Sequence, residues 1–178
     1  MSKKILVVID AQNDFIDGSL RNEEAIKAIP ALVEKIRAFN GDVIFATKDT
    51  HGEDYMDTPE GKKLPVVHCV KGTPGWEINK EVSAALSNSK ADVRIIEKPT
   101  FGSYELVSQL RELCGEGADI EFIGFCTDIC VVSNALLAKA ALYDKANISV
   151  DSRCCAGVTP QSHQAALTTM QMCQIDVK

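Results

Sequence analysis

The stretch Glu121-Phe122-Ile123-Gly124-Phe125-Cys126-Thr127-Asp128-Ile129-Cys130-Val131-Val132 passes from an apolar run into a segment with helical spacing. A buried strand that feeds a helix through a short turn is the repeating unit of an α/β sheet. The same stretch puts Cys130 in the first helical turn, with Thr127 or Asp128 as the expected cap. Free N–H groups and the positive end of the helix dipole favour a thiolate there. Cys130 is therefore a candidate nucleophile, provided that a base and a cation lie near. Taken alone, a packed helix cysteine is the commoner role.

Outward from this stretch, apolar runs and amphipathic stretches alternate. Residues 4–9 read as a buried strand, continuous and mostly β-branched. Residues 23–39 carry Ala25, Ile29, Leu32, Val33 and Ile36 at helical spacing and stop at Asn40-Gly41. Further strands are expected over 43–46, 93–96, 120–125, 148–151 and 175–177. Further helices are expected over 78–86, 103–113 with Ser103 as cap, 129–143, and Pro160–Met172 with its proline near the start. Residues 48–75 are polar, hold Gly and Pro, and show no clear element. Loops of that length in compact domains are usually functional or disordered. The alternation predicts a mainly parallel sheet covered by helices on both faces, a three-layer α/β/α sandwich.

Length and charge narrow the function. A chain of 178 residues fits a single domain, 1–178. The net charge is −6 without a basic stripe, which argues against nucleic-acid or anionic-membrane partners. No apolar run approaches a membrane span, and Asp10 interrupts the only signal-like stretch, so a cytoplasmic address is expected. Seven scattered cysteines do not form a disulfide framework. Cys114, Cys154 and Cys173 read as buried structural residues, and no Cys-x-x-Cys pair occurs.

In a parallel sheet the site lies beyond the carboxyl ends of the strands. Those ends hold Asp10, then Lys48, Asp49 and His51, then Glu97 and Lys98, and finally Cys130. Each has a plainer reading: an aspartate that turns the chain, a solvated lysine, a packed cysteine. Together they supply a thiol, a base and a cation. Asp10 can take the thiol proton and return it to a leaving amine. Lys98 can lower the thiol pKa and orient the carboxylate. Backbone N–H groups of Cys126 and Cys130 can receive an oxyanion.

A second group, Asp49-x-His51 with the later His68, suits a divalent ion such as Zn, Fe or Mn. Glu60, or less favourably Glu53, can add a ligand, while Cys69 should point away from its neighbour His68. Equally, His51 can be an ordinary loop residue and His68 a half-buried histidine with its hydrogen bond met. His163 reads as structural, Trp76 as a packing or site-wall aromatic, and Phe15 as either a cover for a bound ring or core.

These residues resemble the isochorismatase-like cysteine hydrolases, and within them the nicotinamidase/pyrazinamidase subgroup. The resemblance rests on Ile9-Asp10-Ala11-Gln12-Asn13-Asp14-Phe15, Lys48-Asp49-Thr50-His51, the run from His68 to Gly75, Glu97-Lys98 followed by Phe101, and the stretch from Gly124 to Val131. It implies a six-stranded sheet, a triad of Asp10, Lys98 and Cys130, and a cis peptide between Phe125 and Cys126. It also implies a divalent metal on Asp49, His51 and His68, with Glu60 as the further ligand and zinc as the first choice over iron or manganese. Phe15 and Phe101 match its aromatic walls, whereas Pro65 stands where the subgroup tends to carry another aromatic.

The implied enzyme converts nicotinamide to nicotinate and ammonia through a thioester, takes a small-molecule amide substrate, belongs to pyridine nucleotide biosynthesis and is a homo-oligomer. The alternatives are hydrolysis of another small amide or ureido compound, a non-haem metal oxygenase, and a non-catalytic binding protein.

Overall fold

The computed structural model describes residues 2–115 and 117–178. In chain order the elements are β1 (Lys3–Ile9), α1 (Glu23–Ala38), β2 (Val43–Asp49), α2 (Pro59–Lys63), α3 (Lys80–Ser87), β3 (Asp92–Lys98), α4 (Tyr104–Leu113), β4 (Ala118–Phe125), α5 (Val132–Leu142), β5 (Ala146–Ala156), α6 (Pro160–Met172) and β6 (Asp176–Val177). The strands form one six-stranded sheet in the order β3-β2-β1-β4-β5-β6, all pairs parallel.

Alternation along β1 builds two cores. Ile5, Val7 and Ile9 point into a cluster with residues of α4, α5 and α6. Leu6 and Val8 point the other way, into a cluster with residues of α1 and α3. Strands covered on both faces read as unbroken apolar runs, which is why the sequence of β1 and β4 is so legible. Helix ends follow their caps. Asn22 accepts from the N–H groups of Glu24 and Ala25, Ser103 from that of Leu106, and Thr159 forms a capping box with Ser162.

The chain leaves β1 towards β2 and β3, then returns to place β4 on the opposite side of β1. The crevice at this reversal is where doubly wound sheets bind ligands. The strands close tightly there. Gly124 pairs with Ile9 at a φ of +114°, and a Cβ on it would sit 2.1 Å from the Ile9 carbonyl oxygen. Only glycine fits a position that combines that backbone with that contact. The next residue after Ile9, Asp10, itself adopts a left-handed φ of 44°, a conformation that costs a side-chain-bearing residue about 1–2 kcal/mol.

Several sequence expectations need correction. The stretch 48–75 is not featureless. Lys48 and Asp49 complete β2, Tyr55–Asp57 forms a 3-10 turn and α2 follows, capped by Thr58. Their short length keeps any helical period out of the sequence. β5 runs to Ala156, beyond the expected 148–151, because polar residues interrupt its apolar signal. The helix expected over 129–143 is α5 preceded by a wide turn at Thr127–Val131, and it ends where Tyr143 turns left-handed at φ 47°. Cys173 is exposed, unlike the buried Cys114 and Cys154.

Candidate active site

Four strand ends converge in the crevice. Lys98, from the last position of β3, is buried with its Nζ 2.7 Å from Asp10 Oδ2, 3.2 Å from Asp49 Oδ1, 3.0 Å from the Thr100 carbonyl oxygen and 3.5 Å from Cys130 Sγ. Thr47 fixes the other oxygen of Asp10: its hydroxyl donates to Oδ1 at 2.6 Å and accepts from the Asp10 N–H at 3.2 Å. Asp10 Oδ2 pairs with the ammonium yet has no well-directed hydrogen bond of its own. That leaves it a lone pair for an incoming proton.

Burial pushes the Cys130 thiol well above its ordinary range, the Asp10 charge adds to this, and Lys98 only partly opposes them. Desolvation therefore works against the thiolate that the turn's N–H groups would favour. Burial likewise raises Asp10 against the pull of Lys98. Burial opposes the Lys98 charge, but the Asp10 and Asp49 carboxylates outweigh it and raise the amine pKa. The site thus gathers the thiol and the Asp10 carboxyl around one buried amine. Such a set can move one proton between sulfur, carboxylate and a leaving group.

The turn that carries Cys130 is held from outside. The N–H groups of Ile129 and Val131 both donate to the Cys126 carbonyl, at 3.1 and 3.0 Å, and the latter bond widens the turn. The Phe125–Cys126 peptide is cis. Neither Thr127 nor Asp128 caps the helix. The Thr127 hydroxyl is 2.8 Å from His163 Nδ1, and the Asp128 carboxylate accepts the Val158 N–H. Both side chains are turned to α6 and the loop before it instead. The Asn134 amide donates to the Cys130 and Phe101 carbonyls and accepts from the Ser103 N–H, which ties the turn to the start of α4.

Beside this set, Asp49, His51, Glu60 and His68 bring one ligand atom each to within 4.8 Å of one another. Asp49 Oδ2 lies 2.9 Å from His51 Nε2 and 3.6 Å from His68 Nε2, and Glu60 Oε1 lies 3.9 and 3.8 Å from the same two nitrogens. His68 Nδ1 is 2.8 Å from the Val66 carbonyl oxygen, which only accepts. This assigns the proton to Nδ1 and aims the Nε2 lone pair at the carboxylates. Two imidazoles and two carboxylates gathered in this way match a divalent cation in number and type. Without one, the balance falls on protons. Burial opposes it, but hydrogen bonding of the His68 ring N–H groups to Asp49 and to the Val66 carbonyl raises its pKa. Burial also works against the Asp49 charge, and His51, His68 and Lys98 overcome it to hold that carboxyl well below the usual range. Glu53 is exposed and outside this group. Cys69 packs into the core with its N–H on Asp14.

The two sets share a cavity of about 510 Å³. Phe15, packed edge-on to His68, and Phe101 line it, as do Asp49, His68, Cys126 and Cys130. Leu64, not Pro65, supplies the wall near the second histidine. Trp76 is a packing residue: Lys48 Nζ sits 3.0 Å over its ring and its indole N–H donates to Thr50. Sequence reasoning missed Thr47, Gln12 and Asn134. Gln12 donates to the Asp49 and Trp76 carbonyls and accepts from the Asp49 N–H, so it fixes the end of β2. The available signal was a polar residue inside an apolar strand, or within the quoted motif.

Residues 4–177 match the family model described as the isochorismatase domain. The nicotinamidase/pyrazinamidase of Mycobacterium tuberculosis is 26% identical over 173 residues, covering 84% of this chain and 89% of that protein. A crystal structure of the nicotinamidase/pyrazinamidase PncA from Bacillus subtilis superposes with a TM-score of 0.84 at 29% identity over 98% of both chains. The pyrazinamidase of Pyrococcus horikoshii in complex with zinc superposes with a TM-score of 0.77 at 28% identity, covering 99% of this chain and 98% of that one. With a family match spanning nearly its whole length, this chain belongs to the isochorismatase domain family.

Proposed function

We propose that the protein hydrolyses nicotinamide to nicotinate and ammonia, with Asp10, Lys98 and Cys130 as catalytic residues. One observation carries the reading: a single buried ammonium touches the thiol, Asp10 and Asp49, so the nucleophile and the four-ligand group form one site. The activities named for the relatives point to the same substrate. Asp10 accepts the Cys130 proton as the sulfur attacks the carboxamide carbon. The N–H groups of Cys126 and Cys130 receive the oxyanion. Asp10 returns the proton to the departing nitrogen, and ammonia leaves a thioester on Cys130. Asp10 then takes a proton from water as its oxygen attacks the thioester, and passes that proton to the sulfur as it leaves, which releases the acid and restores the thiol. Lys98 stays charged throughout and balances the carboxylate in each state. Phe15 and Phe101 clamp the ring.

Asp49, His51, Glu60 and His68 would hold a divalent ion, zinc first and iron or manganese as alternatives. When bound it supplies a Lewis acid beside the cavity. Zinc in the Pyrococcus horikoshii pyrazinamidase supports this assignment. The cytoplasmic address and homo-oligomeric state belong to the same reading; no helix among the described residues is long and apolar enough to cross a membrane.

Dialysis against a chelator is expected to lower ammonia release from nicotinamide by about tenfold or more, with recovery on adding zinc, and His68→Ala should do the same without recovery. Protein with no bound metal that is insensitive to chelator and releases little ammonia from nicotinamide would favour the second reading, another small amide or ureido substrate. That reading draws on the aliphatic wall at Leu64, which can pack against a non-aromatic substrate as well as against a ring.

A further inference from the structure

Tyr55 takes no part in the chemistry above, yet it is among the largest fully buried side chains. Its ring centroid lies 4.7 Å from that of His51 and 4.9 Å from that of His68, and the two imidazoles are 4.9 Å apart. The three rings meet at interplanar angles of 59° to 74°, so each blocks rotation of the other two. An imidazole that swung to another rotamer would lose its aim at Asp49 and Glu60.

The hydroxyl does something else. It donates to the Leu64 carbonyl at 2.9 Å. Leu64 follows α2, the helix that carries Glu60, and its side chain forms a wall of the cavity. A phenylalanine would fill the same space, so the hydroxyl is not needed for packing. A buried hydroxyl is tolerated where it makes a hydrogen bond. The backbone of Tyr55 is equally constrained. Its N–H donates to Gly52, and its carbonyl accepts the Thr58 hydroxyl. The same carbonyl oxygen would lie 2.1 Å from a Cβ placed on Gly61. Glycine at 61 lets α2 approach this carbonyl.

We propose that Tyr55 is a positioning residue with two separable parts: its ring fixes the His51 and His68 imidazoles, and its hydroxyl fixes the Leu64 wall against which the substrate ring packs. The second part rests on the nicotinamide reading; the first does not.

The test compares wild type, Tyr55→Phe and Tyr55→Leu, using Co²⁺ titration followed by absorption and nicotinamide kinetics. Tyr55→Leu is expected to weaken Co²⁺ binding by about tenfold or more, and Tyr55→Phe by less than about twofold. Tyr55→Phe is expected to raise KM about fivefold while kcat stays within about twofold. A merely structural role would lower the folded fraction, so that kcat fell while KM and the Co²⁺ affinity held. Folded Tyr55→Leu with wild-type Co²⁺ affinity, or Tyr55→Phe with wild-type KM, would overturn the proposal. If Tyr55→Leu does not fold, Tyr55→Met, unbranched and better able to fill an irregular gap, takes its place in the titration. Wild-type protein inactive on nicotinamide would remove the substrate reading, and the Co²⁺ comparison would then decide the proposal.

Discussion

Cys130→Ala is expected to reduce ammonia release from nicotinamide by about 10⁴-fold or more, with the fold intact. The large loss follows from the division of labour in the site. Asp10 and Lys98 only move or balance a proton, and only the sulfur forms the bond that divides amide hydrolysis into two easier steps. The small effect on folding follows from the packing. Cys130 is buried and burial favours its neutral form, so alanine removes little more than the sulfur. The cavity cost should be about 1 kcal/mol. Ammonia assays and thermal unfolding on the same sample check both halves. Residual activity within about tenfold of wild type would mean that water attacks the amide directly.

Lys98→Met should damage folding and chemistry together. The ammonium is paired with two buried carboxylates, Asp10 and Asp49, and sits almost wholly out of solvent. Removing one member of a buried ion pair typically costs about 3–5 kcal/mol, because the remaining charge is stranded. Some of that cost can be relieved at Asp10, whose pKa burial already raises; a protonated Asp10 needs no counter-charge. That relief disables the base, since a protonated carboxyl cannot accept the thiol proton. Activity should therefore fall by about 10³-fold even in the folded fraction. Urea denaturation at neutral pH gives the stability loss, and active-fraction-corrected kinetics give the rest. Unchanged stability would show that Lys98 does not hold these carboxylates together.

The fold was legible where burial is two-sided. Strands β1 and β4 are apolar runs because both faces are covered, and α4 and α6 announce themselves through Ser103 and Pro160. The site residues were legible as residue types at strand ends, because a parallel sheet gathers those ends on one edge. What escaped depends on the third dimension. Thr47 is an ordinary β-branched strand residue until the register of β1 and β2 sets it against Asp10. Gln12 and Asn134 are buried amides whose partners come from distant segments. The surroundings of Cys130 are hidden in the same way: the helix terminus that favours a thiolate is visible in sequence, whereas the burial that opposes it is not. Likewise Thr127 and Asp128 look like caps, and tertiary partners at His163 and Val158 claim their side chains.

The most direct test of the account is to run the nicotinamide reaction in the presence of hydroxylamine and analyse the products. An acyl group carried on Cys130 can be taken by hydroxylamine in competition with water. The account predicts nicotinohydroxamate growing at the expense of nicotinate while ammonia release continues, and neither product from Cys130→Ala. Continued nicotinate formation by wild type with no hydroxamate at any hydroxylamine concentration would contradict it.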